Sequence, residues 1–251
     1  MLTDSLKDII QRCWTDFNNF KNPIKISSSI PILWFGDLEK YRNSKTKILS
    51  VALNPSEKEF CVSPGSFSIK HRFPGFCMPF SDVNYYQTLN EYFIKNPYWT
   101  WFQSIERILN CMDASYKANV NIHNTAVHID LYAPVATSPH WNGLTLSEKA
   151  SLICSFSPYF NQMIDELKPD IILASFSQQI IEQHFRDVNN CPCLPVNAKK
   201  TWSPEGKKGI FLRYYDLYGG KKLITGRNMS GTAFGGLTAQ ECKQGMSVVI
   251  M

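Results

Sequence analysis

The stretch Lys47-Ile48-Leu49-Ser50-Val51-Ala52-Leu53-Asn54-Pro55-Ser56 decides how the rest of the chain is read. Its apolar part is nearly continuous, as a strand buried on both faces of a parallel sheet requires. It then breaks into Asn-Pro-Ser, which sets a rigid amide-bearing loop at the C-terminal rim of the strand, where open α/β sheets place their chemistry. A second strand-to-loop step of similar build lies far downstream. There Lys222-Leu223-Ile224-Thr225 runs into Gly226-Arg227-Asn228-Met229-Ser230-Gly231.

Between and around these two steps, strand-like and helix-like patterns alternate. Residues 4–20 repeat Leu6, Ile9, Ile10, Cys13, Trp14 and Phe17 at helical spacing. Residues 30–35 read as an edge strand, because Pro31 cannot donate to a ladder. Residues 55–82 form a long loop rich in Pro, Gly, Ser and Phe, a length that compact domains usually reserve for function. Helical patterns follow at 85–93, 98–112, 146–167 (with Pro158 marking a candidate break), 177–185 and 237–246. Further strands are expected at 125–132, 171–176, 209–217 and 222–225. The alternation predicts an α/β fold: a three-layer sandwich with a central, mostly parallel sheet flanked by helices. With no repeat and no linker composition, residues 1–251 read as a single domain.

Composition supports a packed protein. Hydrophobic residues make up 44% of the chain and aromatic residues 13%, enough for a substantial core. The charged, periodic first residues do not read as a signal peptide, and no apolar run is long enough to span a bilayer. These points give the expectation of a cytoplasmic protein with no membrane partner and no obligatory protein partner. The eight cysteines form no C-x-x-C pair, so reduced thiols are expected. Cys191-Pro192-Cys193 lacks the spacing of a metal or iron–sulfur site, and neither metal nor cofactor is expected. The net charge of +5 is uneven, since residues 199–227 alone carry +6. A basic stretch containing Lys199, Lys200 and Arg227 suits a polyanion such as a nucleic-acid backbone, and equally a solvated lysine-rich hairpin.

The two loops, in their order and setting, resemble the uracil-DNA glycosylase superfamily. In that family a strand ends in a G-x-[Asp/Asn]-P motif, and a late strand ends in [His/Asn]-P-S. Here Ala52-Leu53-Asn54-Pro55-Ser56 matches the first in its Asn-Pro core, and Asn228-Met229-Ser230-Gly231 resembles the second, with Met229 in place of Pro. The family's base-stacking aromatic falls about thirteen residues after the first-motif residue, where this chain has Phe67. Its base-reading strand corresponds to Val127-His128-Ile129-Asp130-Leu131, with Asp130 the nearest match to the reading residue.

The resemblance implies a DNA glycosylase that flips a nucleotide out of the helix and hydrolyses its N-glycosidic bond through an oxocarbenium-like sugar. It casts Asn54 as the residue that orients the attacking water and Asn228 as the donor to the departing base. Ser230, Gly231 and Arg227 would grip phosphate, and Thr232 or Phe234 would wedge into the duplex, Phe234 being favoured for its apolar ring. Ser56 stands where uracil-specific members carry a bulky Tyr, which leaves room at C5 of the base. An ionised Asp130 only accepts hydrogen bonds and so suits the N4 amino group of cytosine. Together these point to a C5-modified cytosine over uracil, with hydroxymethylated or glucosylated phage cytosines as examples, in a role in antiphage defence or base-excision repair. His128 shares a strand face with Asp130 and would line the same pocket. Each residue also has a plain structural use: Asn54 and Asn228 as turn or cap residues, Phe67 and Phe234 as packing, and His128–Asp130 as a bonded pair. A glycosylase-like module that binds nucleic acid without catalysis is the competing reading, and an unrelated α/β enzyme acting on a nucleotide or sugar is a third.

Overall fold

The structure, a computed structural model, describes residues 2–117, 121–185, 199–229 and 231–250. Cys191, Cys193 and Ser230 therefore lie outside the described residues. Along the chain the elements are α1 (Asp4–Asn19), α2 (Leu38–Asn43), β1 (Ile48–Ala52), β2 (Cys61–Ser63), β3 (Ser66–Phe67), α3 (Asp82–Asn90), α4 (Tyr92–Lys95) and α5 (Trp99–Asn110). They continue with β4 (Ala114–Ser115), β5 (Asn124–Thr125), β6 (Val127–Asp130), α6 (Leu146–Leu167), β7 (Ile171–Ala174), α7 (Gln178–His184), β8 (Lys200–Trp202), β9 (Leu212–Asp216), β10 (Lys222–Gly226) and α8 (Ala239–Ile250). The class is α/β, as the alternation predicts. No described helix is long and apolar enough to cross a membrane.

The chain forms two compact units. The first comprises Met1–Arg42, Ala52–Tyr98 and Val127–Lys168; the second comprises Asn43–Val51, Trp99–Ala126 and Pro169–Met251. In the first, α1 buries Leu6, Ile9, Ile10, Cys13, Trp14 and Phe17, the side chains that its periodicity singles out. Thr3 caps α1 by accepting from the Leu6 backbone N–H at 3.1 Å. α1 packs against α6 and α3. A capping box of Thr145 and Glu148 starts α6, and Lys168 ends it in the left-handed region at φ 47°. Pro158 does not break α6. Pro158 and Cys154 are both exposed, so water can reach the carbonyl that loses its donor, while Phe156, Tyr159, Phe160 and Met163 bury the opposite face.

Residues 30–35 are not a strand. Only Phe35 bridges to β6, donating to the His128 carbonyl at 2.8 Å and accepting from its N–H at 3.0 Å. Tyr85 serves the preceding residues, its hydroxyl donating to the Pro31 carbonyl at 2.9 Å. The stretch 55–82 is more ordered than a loop reading suggests. It holds 3₁₀ turns at Glu57–Glu59 and Ile69–His71 and the antiparallel hairpin β2–β3.

In the second unit the strand order is β1-β7-β10-β9-β8. β1 and β10 both run parallel to β7, pairing through Ile48↔Ile171 and Leu223↔Ile172, whereas β9 and β8 continue antiparallel. Ile48, Leu49, Ile172, Leu173, Leu223 and Ile224 are buried, which accounts for the near-continuous apolar runs. α8 packs on β8 and β9 and on α5.

Candidate functional site

In the first unit, Asn54 follows directly on the rim where two chain segments leave side by side. The Leu131 N–H donates to the Ala52 carbonyl at 2.8 Å and the Tyr132 N–H to the Leu53 carbonyl at 2.9 Å. The Asn54 side-chain amide is then clamped from one side. Its Nδ2 donates to the carbonyls of Pro55 at 3.1 Å and Val135 at 3.2 Å, and to Oγ1 of Thr137 at 3.1 Å. Two of these partners only accept, so the nitrogen must face them and the oxygen must face away. Among the described residues Oδ1 of Asn54 accepts no hydrogen bond. Thr137 is fully buried and bridges to both Lys25 and Ser56, so the clamp is rigid. Ser138 ties the same loop to the 3₁₀ turn after Asn54, its hydroxyl donating to Glu57 at 2.7 Å. Ser56 itself caps that turn, accepting from the Lys58 N–H at 3.2 Å.

β6 brings up His128 and Asp130. Their side chains are each 2% exposed, with Nε2 of His128 3.6 Å from Oδ1 of Asp130. That separation exceeds a hydrogen bond, and both Asp130 oxygens are buried without a hydrogen-bond partner. Burial holds the Asp130 carboxyl above the ordinary carboxylate range, while His128 pulls the other way. Desolvation thus penalises the ionised form of Asp130 on which the sequence-based pairing with cytosine relies.

Glu59 completes this acidic region, and nothing in the sequence marks it. It is 4% exposed and accepts from the Tyr92 hydroxyl at 2.6 Å. Burial raises its pKa to about 7; Tyr92 and Arg72 oppose the rise and the charge of Asp130 adds to it. Phe35 packs edge-on to Tyr92 at 4.7 Å between ring centroids and lies 5.4 Å from the His128 ring. Phe73 stands 5.4 Å from Tyr92 and 5.6 Å from Phe60, so the acids sit in an aromatic surround of low dielectric. Phe67 lies on β3, opposite Cys61, half-buried and without a ring partner among the described residues.

The second unit carries the other loop. Ser175, just past β7, welds it in place: its hydroxyl donates to the Gly226 carbonyl at 3.1 Å and accepts from the Phe234 N–H at 3.0 Å. Met229 and Thr232 close a tight turn, exchanging backbone bonds of 3.0 and 2.8 Å, with Gly231 at φ 79°. Arg227, Asn228, Gly231 and Thr232 are exposed, and Asn228 makes no hydrogen bond among the described residues. Phe234 is not the expected wedge. It is 2% exposed, and its ring lies so close over Gly226 that a Cβ there would meet it at 2.4 Å. Buried packing and the Ser175 bond hold this bulky residue at φ 52°, a conformation such side chains avoid. The exposed apolar side chain of this turn is Met229, at 36%.

The basic segment is partly neutralised from within. Lys199 pairs with Asp216 and Lys207 with Glu241. Arg213 donates to Gln178 at 3.1 Å and lies over the Phe211 ring. Among the described residues Lys200, Lys208 and Arg227 carry no ion pair, and Arg227 reaches the Lys208 carbonyl at 3.5 Å. No protein-family model matches the chain, and no curated protein matches it in sequence.

Proposed function

We propose that the protein is a monofunctional DNA glycosylase, built as a three-layer sandwich of the uracil-DNA glycosylase kind, that hydrolyses the N-glycosidic bond of a flipped, C5-modified cytosine and leaves an abasic site. The observation that carries this reading is the Asn54 amide, held through its nitrogen by three acceptors with its oxygen left unbonded among the described residues. An acceptor fixed in this way can hold and aim a water at C1′ without itself taking a proton, which suffices when the sugar already carries oxocarbenium character. Phe67 offers a ring face for the extruded base, and His128 and Asp130 supply the polar edge that reads it. Ser56, a small capping residue, leaves the C5 side open. On the second unit, Asn228 is exposed and carries the amide that the resemblance casts as a donor. The turn at 229–232 meets the phosphates, with Met229 taking the wedge role, and Lys200, Lys208 and Arg227 screen the backbone charge. The product would enter base-excision repair or expose a modified foreign genome to cleavage.

The test is direct. Duplexes carrying uracil, 5-hydroxymethylcytosine or glucosylated 5-hydroxymethylcytosine are incubated with the protein and treated with alkali, and strand breaks at the modified position support the reading. One observation favours a second reading, a binding module without catalysis: Asn54 is an amide, which cannot take a proton from the attacking water. Salt-sensitive binding with no alkali-labile site on any duplex would select it.

A further inference from the structure

Asp130, at the end of β6, is the residue of the first unit in which both carboxyl oxygens are buried and, among the described residues, neither accepts a hydrogen bond. An ionised carboxylate in that state forfeits its hydration without a hydrogen bond in return. The charged and titratable neighbours sharpen the problem. On its own strand, His128 stands just beyond hydrogen-bond reach at 3.6 Å. From the 3₁₀ turn after Asn54 comes a second buried acid, Glu59, whose hydrogen-bond donor is Tyr92 of α4 and whose field includes Arg72. Two acids in one dry aromatic region cannot both carry charge cheaply, so protons are retained there.

Resting on the glycosylase reading, we propose that Asp130 meets the base as a neutral carboxylic acid: its O–H donates to N3 of a cytosine-type ring, its carbonyl oxygen accepts from the N4 amino group, and its proton passes to N3 as the glycosidic bond breaks. This pairing fills both orphaned oxygens at once. With its proton on the oxygen that faces N3 the acid matches cytosine; uracil, which presents N3–H and an O4 acceptor, pairs only with the proton on the other oxygen. The step balances without a further reagent. Water adds to C1′, the C1′–N1 electron pair leaves with the base, and the Asp130 proton at N3 makes the departing base neutral. The surplus proton of the water goes to solvent. Asp130, now a carboxylate beside His128, takes a proton back from solvent before the next turnover. The upward shift that burial gives the carboxyl agrees with this role.

The experiment measures single-turnover base release between about pH 5.5 and 8.5 from three duplexes: 5-hydroxymethylcytosine, the same base with N3 replaced by CH (3-deaza), and uracil. The expected result for the natural chain is release of 5-hydroxymethylcytosine that slows as pH rises, with the 3-deaza base bound but released about 100-fold more slowly, the size typical of general acid catalysis. Asp130→Asn keeps both hydrogen bonds but has no proton to give. It should bind the hydroxymethylcytosine duplex within about threefold of the parent while losing about 100-fold in release, together with the pH slope. Equal release of the 3-deaza and natural bases, or release independent of pH, overturns the proposal while leaving the glycosylase reading intact. Release from none of the duplexes overturns both. The 3-deaza comparison uses the unaltered chain, so the outcome stands even where Asp130→Asn fails to fold.

Discussion

Replacing Glu59 by Gln should make the protein more stable at alkaline pH, the reverse of what removing a buried hydrogen-bonding residue usually does. In the folded state its pKa is raised from 4.5 to about 7, chiefly by burial. Below the lower value both folded and unfolded chains hold the proton and the group is neutral in its effect. Between the two values the unfolded chain releases the proton and the folded chain keeps it, so stability falls as pH rises; above about 7 the loss is complete. A shift of that size corresponds to about 3 kcal/mol. Gln keeps the acceptor for Tyr92 and gives up only the charge-assisted part of a 2.6 Å bond, about 1 kcal/mol. The net expectation near pH 8 is a gain of about 2 kcal/mol, or about 4–8 °C in Tm for a chain of this size. Near pH 4.5 the gain should vanish. Urea unfolding of both proteins across this range gives the difference directly. A variant that is less stable at pH 8 than the parent, by more than at pH 4.5, would show that Glu59 folds as a stabilised carboxylate and would refute the reasoning. Its activity should move oppositely to its stability, since a strained acid beside Asp130 is kept at a cost to the fold.

Phe234→Ala should lower stability by about 3–5 kcal/mol in thermal or urea unfolding, whereas Met229→Ala should leave the melt unchanged and weaken DNA binding; the opposite pattern would return the wedge role to Phe234. Ser175→Ala strands the Phe234 N–H and the Gly226 carbonyl, and should cost about 1–3 kcal/mol by the same measurements. Removing Lys200, Lys208 or Arg227 should each reduce the slope of log affinity against log salt by about 1, with a smaller effect for Lys199, whose ammonium already rests on Asp216. Equal slopes for all four would separate the basic segment from the nucleic-acid interface.

What the sequence made legible and what it hid divide along physical lines. Local periodicity reports burial on one element, so the buried face of α1 and the span of α6 were readable, as was β1 from its unbroken apolar run. Pro158 misled because a proline breaks a helix only when the lost bond cannot be replaced, and its face of α6 is wet. Glu59 was hidden because its burial depends on Phe35, Phe73 and Tyr92, which reach its surroundings from other parts of the chain. Phe234 was misassigned for a related reason: proximity to a polar loop suggested exposure, while the space that receives its ring is made by the missing side chain of Gly226. Asp130 was found by its position on β6, but its burial without a hydrogen-bond partner among the described residues follows from surroundings that the sequence does not display.

The central claim is that the Asn54 loop directs water to an N-glycosidic bond, and alkali-labile site formation tests it most directly. The account predicts abasic sites from a duplex carrying 5-hydroxymethylcytosine or its glucosylated form, and their loss in Asn54→Ala with DNA affinity largely retained. Undiminished release by a folded Asn54→Ala protein would contradict it.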